Sequence, residues 1–115
     1  MEKSLLLILI MTTDIVADQL SPADSNIKGL EGDSAKLQCS YDTSSERIEL
    51  HWYRQYPNEA PQFLLWKGAR SDTTKHIPDF HFDATTSRSS TELHIKDLTL
   101  ADTALYYCAL RDLAQ

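Results

Sequence analysis

Asp102-Thr103-Ala104-Leu105-Tyr106-Tyr107-Cys108 is the stretch whose reading decides the fold. It runs on into Ala109-Leu110, so the segment Leu105–Leu110 is continuously apolar or aromatic. A short run of this kind reads as a strand covered on both faces, or on one face by a partner. Tyr106 and Cys108 share one side of it, because side chains alternate along a strand. Working outward, Asp97-Leu98-Thr99-Leu100-Ala101-Asp102 reads as one helical turn before that strand. Thr91–Ile95, Phe80–Ala84, Ile48–Trp52 and Ala35–Cys39 each alternate apolar with polar residues. A period of two marks a strand with one buried face. Gln62-Phe63-Leu64-Leu65-Trp66 is a fuller apolar strand. Turn residues separate these segments at Glu31–Ser34, Tyr56–Pro61 and Lys67–Asp72. Many short strands at such spacing predict an all-β sandwich or barrel.

The chain begins differently. Met1-Glu2-Lys3-Ser4 leads into the apolar run Leu5–Met11, and polar Thr12, Thr13 and Asp14 follow. The run is well short of the about 20 residues that cross a bilayer. It suits the apolar core of a secretory signal peptide, with a buried N-terminal strand as the alternative. Residues 1–17 are therefore expected to be a signal peptide cleaved near Ala17, and residues 18–115 one domain. Ile15 is bulkier than the small-x-small cleavage pattern favours. No later stretch is long and apolar enough for a membrane span, so the chain is expected to be soluble after cleavage or held at a membrane by something outside it. The net charge of −6 argues against a nucleic-acid partner. Cys39 and Cys108 are the two cysteines, and in a secreted chain they read as one disulfide. Closing a loop of about 70 residues, it would stabilise the fold by roughly 4 kcal/mol on a chain-entropy estimate.

These residues fall into one geometry. A sandwich whose sheets are bridged by a disulfide packs an aromatic ring on the sulfurs, and a tyrosine on the returning strand bonds back across the corner. Cys39, Trp52, Cys108 and Tyr106 supply those parts, and Leu93 supplies a buried apolar position. That is the immunoglobulin pattern, and the cysteine separation leaves room for the two extra edge strands of a variable-type domain. Trp52-Tyr53-Arg54-Gln55-Tyr56-Pro57, Leu64-Leu65 and Tyr106-Tyr107-Cys108-Ala109-Leu110 resemble the T-cell receptor α/δ variable segments. The resemblance implies a V-type two-sheet Greek-key sandwich with one inter-sheet disulfide. Two departures stand out. The family's last edge strand comes from a joining segment with Phe-Gly-x-Gly, which is missing here, so the edge beside Cys108 is expected to be bare. The family also often pairs an arginine before the framework phenylalanine with the corner aspartate. Here Asp79 precedes Phe80, so Asp102 needs another cation, such as Arg88 or Lys75.

The resemblance also implies what the residues do. Three loops would form the ligand surface, which in the family meets a peptide held by a major histocompatibility molecule. The contact residues would be Thr43, Ser44, Ser45, Glu46 and Arg47, then Lys67, Arg70 and Asp72, then Leu110 and Arg111. Tyr53, Gln55, Pro61, Leu64 and Tyr107 would face a T-cell receptor β-chain variable domain, with Gln55 bonding its counterpart. Signalling would fall to associated membrane subunits, and the domain itself would pass through the secretory pathway to the extracellular face of the plasma membrane as part of the receptor complex. The alternative is a stand-alone V-type adhesion or innate immune receptor domain. Catalysis, metal binding and cofactors are not expected. His51, His76, His81 and His94 lack ligand spacing, and both cysteines are used in the bridge. Phosphate-cradling glycine loops and serine-nucleophile motifs are missing too.

Overall fold

The computed structural model describes residues 5–12, 19–22 and 26–114. The expected cleavage position, Ala17, lies outside the described residues. The strands are β1 (Leu5–Thr12), β2 (Gln19–Pro22), β3 (Asn26–Leu30), β4 (Ala35–Asp42), β5 (Arg47–Gln55), β6 (Gln62–Arg70), β7 (Lys75–His76), β8 (Phe82–Thr86), β9 (Ser90–Ile95) and β10 (Leu105–Asp112). They form a six-stranded sheet in the order β3-β1-β10-β5-β6-β7 and a four-stranded sheet in the order β2-β4-β9-β8.

Alternation in the sequence becomes alternation in burial. Along β4 every second residue, from Ala35 through Leu37 and Cys39 to Tyr41, is buried and its neighbours are exposed. β9 repeats this with Thr91, Leu93 and Ile95 inward. Cys39 in the four-stranded sheet is bonded to Cys108 in the six-stranded one, with Cα atoms 6.7 Å apart. Trp52, Leu93 and Tyr106 are fully buried in the same core. The Trp52 indole N–H donates to Thr91 Oγ1 at 3.2 Å, and the Tyr106 hydroxyl donates to the Asp102 carbonyl at 2.7 Å. The all-β V-type sandwich with an inter-sheet disulfide is thus the observed architecture.

Four details differ from expectation. Phe80 is 81% exposed, and β8 begins only at Phe82. Asp79 is the cause: its carboxylate accepts from the His81 amide at 2.9 Å and its carbonyl from the Phe82 amide at 3.1 Å, a tight turn that throws Phe80 outward. The helical turn before β10 is a single 3-10 turn confined to Leu100–Asp102. Asp102 finds its partners elsewhere than Arg88 and Lys75. Its carboxylate meets the His81 imidazole at 3.0 and 3.1 Å, Arg54 at 3.8 Å and the Thr99 amide at 2.9 Å.

The fourth difference is the edge of β10. β1 lies there, parallel to β10 from Leu9 opposite Leu105 to Thr12 opposite Cys108. Its other side runs antiparallel to β3, from Leu5 opposite Leu30 to Leu9 opposite Asn26. Ile8 is fully buried in the core. Unpaired backbone along a buried strand is costly, and an apolar strand in this slot supplies the missing bonds.

Candidate functional site

One end of the sandwich gathers the three expected loops. Loop 1 spans residues 43–46 and leads into β5. The Ser71 amide donates to the Glu46 carbonyl at 2.9 Å, and the Leu113 amide to the Arg47 carbonyl at 2.9 Å. Ser45 Oγ donates to Asp112 at 2.7 Å, which ties the start of the third loop to the first. Ser44, Glu46, Arg47 and Arg111 are exposed here, while Thr43, Ser45 and Asp72 are half-buried. The Glu46 carboxylate lies 2.6 Å from Arg88, whose hydrogen bond holds its pKa below the ordinary value. Asp72 caps its own turn, accepting from the Thr74 hydroxyl at 2.5 Å and amide at 2.9 Å, and its pKa is likewise lowered. Gly68 is required beneath that turn, because a Cβ there would meet the Asp72 carbonyl oxygen at 2.6 Å.

Three expected ligand contacts do not point at this surface. Leu110 is only 2% exposed, because it shares the inward side of β10 with Tyr106 and Cys108. Lys67 turns across to β8 and donates to the Ala84 carbonyl at 3.2 Å. Arg70 bends back over the domain, and its guanidinium is taken up by main-chain carbonyls of Thr43, Ser45 and Arg88.

The second surface is the outer face of the six-stranded sheet. On β5, Glu49, His51 and Tyr53 stand opposite Arg111, Ala109 and Tyr107 of β10. Tyr53, Pro61, Tyr107 and Ala109 line an open, apolar hollow of about 350 Å³. Beside it, Tyr107 donates to Gln55 Oε1 at 2.6 Å, and Gln55 Nε2 donates to the Glu59 carbonyl at 2.8 Å. A primary amide has two N–H donors and two carbonyl lone pairs, so Gln55 retains one of each. That is the complement a second glutamine would need.

Leu64 is not part of this face. It is 4% exposed and packs in the core, whereas Phe63 is 39% exposed and edge-on to Tyr53 at 5.8 Å. The register between β5 and β6 shifts at Trp52/Tyr53, so Trp52 faces Leu65 and Tyr53 faces Phe63. Leu64 and Leu65 therefore both turn inward. From Phe63 an aromatic row continues through His51, Trp66 and His76, with neighbouring ring centroids 5.8 to 6.5 Å apart. Glu49 is an unforeseen member. It is 7% exposed and is held by His51 at 2.9 Å and Arg111 at 3.7 Å.

The two-sheet architecture, its disulfide, its buried tryptophan and its tyrosine corner define a domain class, the immunoglobulin V-set, whose family model matches residues 23–114. Relatives narrow the class. The T-cell receptor alpha chain V region RL-5 of rabbit (Oryctolagus cuniculus) is 43% identical over 81 residues, covering 70% of this chain and 59% of that one. T cell receptor alpha variable 3 of human (Homo sapiens) is 32% identical over 111 residues, covering 95% of both. The T-cell receptor alpha chain V region CTL-F3 of mouse (Mus musculus) is 34% identical over 109 residues, covering 93% of this chain and 80% of that one. The chain belongs to the V-set family and, within it, to the T-cell receptor alpha variable regions. Among the described residues no helix is long and apolar enough to cross a membrane.

Proposed function

We propose that this domain works by binding, as the variable region of a T-cell receptor alpha-type chain. Residues 1–17 act as its leader, so β1 leaves the β10 edge when the leader is removed and a joining segment takes that place, and residues 18–115 are displayed outside the cell in a receptor complex. The loop end, with Ser44, Glu46, Arg47 and Arg111 outermost, meets a peptide held by a major histocompatibility molecule. The sheet face of Tyr53, Gln55, Pro61, Phe63 and Tyr107 packs on a β-chain variable domain. The observation that carries the reading is the apolar hollow of Tyr53, Pro61, Tyr107 and Ala109 beside a half-satisfied Gln55. Aromatic anchors around one oriented polar group make a protein interface.

The test is association. The chain, extended with a joining segment, is mixed with a T-cell receptor β variable domain and heterodimer formation is measured by analytical ultracentrifugation. A heterodimer that Gln55→Glu weakens supports the reading, because a carboxylate lacks the N–H that a reciprocal amide pair needs. No association, or none that depends on Gln55, contradicts it. A stand-alone V-type domain is the competing reading, favoured by β1 closing the edge of β10. It predicts a monomer that ignores the β domain.

A further inference from the structure

We infer that Arg70 is a positioning residue: it holds loop 1 and the β8–β9 turn in one fixed arrangement and does not itself touch the ligand. The inference rests on the reading that the loop end is the ligand surface.

Arg70 ends β6 in the left-handed backbone region, with φ of 60°. A non-glycine residue pays steric strain there and persists only where its surroundings hold it. Its neighbours are fixed by the Ser71 amide bond to the Glu46 carbonyl and the Asp72 amide bond to the Ala69 carbonyl, and the guanidinium adds further anchors. Nη1 donates to the carbonyls of Thr43 and Ser45, each at 2.6 Å. Nε and Nη2 both donate to the Arg88 carbonyl, at 3.1 and 2.7 Å. Arginine has five N–H groups in a rigid fork, and these contacts engage about four of them. Little donor capacity is left for a ligand. The cation also lies 5.5 Å from the centroid of the Tyr41 ring.

The segments that Arg70 joins are distant in sequence. Loop 1 supplies Thr43 and Ser45, and the turn between β8 and β9 supplies Arg88. The same two segments meet again through the Glu46–Arg88 ion pair. Tyr41 reinforces the junction, its hydroxyl donating to the Ser87 carbonyl and its amide to the Ser89 carbonyl. Main-chain carbonyls are the targets, so the clamp fixes backbone shape whatever side chains the loops carry. A lysine could neutralise the same charge, but a single ammonium cannot reproduce the planar fork. Fixing loops before contact removes part of the ordering cost of binding.

Amide hydrogen exchange on the full chain tests this without a ligand. Arg70→Gly keeps the left-handed backbone at no steric cost and deletes the clamp together with the contact to the Tyr41 ring. Exchange at Ser45, Arg47 and Ser89 should rise by about tenfold or more, the effect of losing one or more hydrogen bonds from a charged donor. Leu93 and Tyr106 in the core should stay within about twofold of wild type, as sub-global opening requires. Arg70→Lys should restore little of the loop protection. Unchanged loop exchange in Arg70→Gly would overturn the inference. So would a uniform rise that includes Leu93 and Tyr106, which would make Arg70 a determinant of the whole fold. Full rescue by Arg70→Lys would overturn the fork geometry. None of these results depends on what the loops bind. Failure of the ligand reading would appear separately, as antigen binding that ignores substitution of Ser44 and Glu46.

Discussion

The domain has two polar hubs, one at each end, and they behave differently. At the corner before β10, Asp102 is 2% exposed and collects His81, Arg54 and the Thr99 amide. At the loop end, half-buried Arg70 collects three carbonyls. Each is a charge that ties together segments far apart in the chain. At the corner the Asp102 side chain itself is buried and its carbonyl is bonded by Tyr106, so its loss falls on the fold. The loop hub is only half-buried and sits outside the core, so its loss falls on surface shape. Burial, more than bond number, decides which kind of hub a charged residue makes.

The sharpest way to break this contrast is Asp102→Ala. It strips Arg54, His81 and the Thr99 amide of their shared acceptor, and about 3 kcal/mol of stability should go. That is the low end for a broken buried pair, because Arg54 and His81 still reach water. Urea denaturation reads this directly; a loss close to zero would make the two hubs alike.

Tyr106 sharpens the comparison at the same corner. Burial first, and the Asp102 charge second, raise the pKa of its phenol well above 10.0. The folded state therefore keeps the proton that the unfolded chain releases. The stabilisation is full below the ordinary value of 10.0 and is lost as pH rises above it towards the raised folded value. Tyr106→Phe should cost about 1 kcal/mol near neutrality, for the lost bond to the Asp102 carbonyl. It should also flatten the alkaline limb of a stability–pH curve recorded by chemical denaturation.

Smaller effects belong to the loop end. Asp72 has a lowered pKa through its bonds to Thr74, so its contribution is present above the ordinary value of 3.8 and fades as pH falls through the folded value. Acid should loosen the turn at Ser71–Thr74 before it unfolds the domain, as seen in amide exchange at Thr74. Glu46→Gln removes a fully exposed ion pair with Arg88 and should leave the unfolding midpoint unmoved.

Legibility in the sequence divides along the same line. Cys39, Trp52, Leu93, Tyr106 and Cys108 could be placed because period-two alternation carries the inward side of each strand. Leu64 was misplaced, and Phe63 missed, because one register shift at Trp52/Tyr53 reverses the alternation in a run with no polar residue to mark it. Phe80 fooled the same rule: a local Asp79 turn overrode an alternating pattern. The partners of Asp102, the burial of Glu49 and the carbonyl clamp of Arg70 are contacts between distant segments. Nothing in the local pattern encodes those, although an acidic residue at strand position 49 flanked by Ile48 and Leu50 was a signal available to find one of them.

The sheet face of Tyr53, Gln55, Phe63 and Tyr107 is proposed to meet a partner variable domain. Amide exchange of the chain, extended with a joining segment, with and without a T-cell receptor β variable domain tests it most directly. New protection is expected at Tyr53, Gln55, Phe63 and Tyr107, and none at Lys36, Gln38, Glu92 and His94 on the outer side of the opposite sheet. Protection on that opposite sheet, or no protection on either, would contradict it.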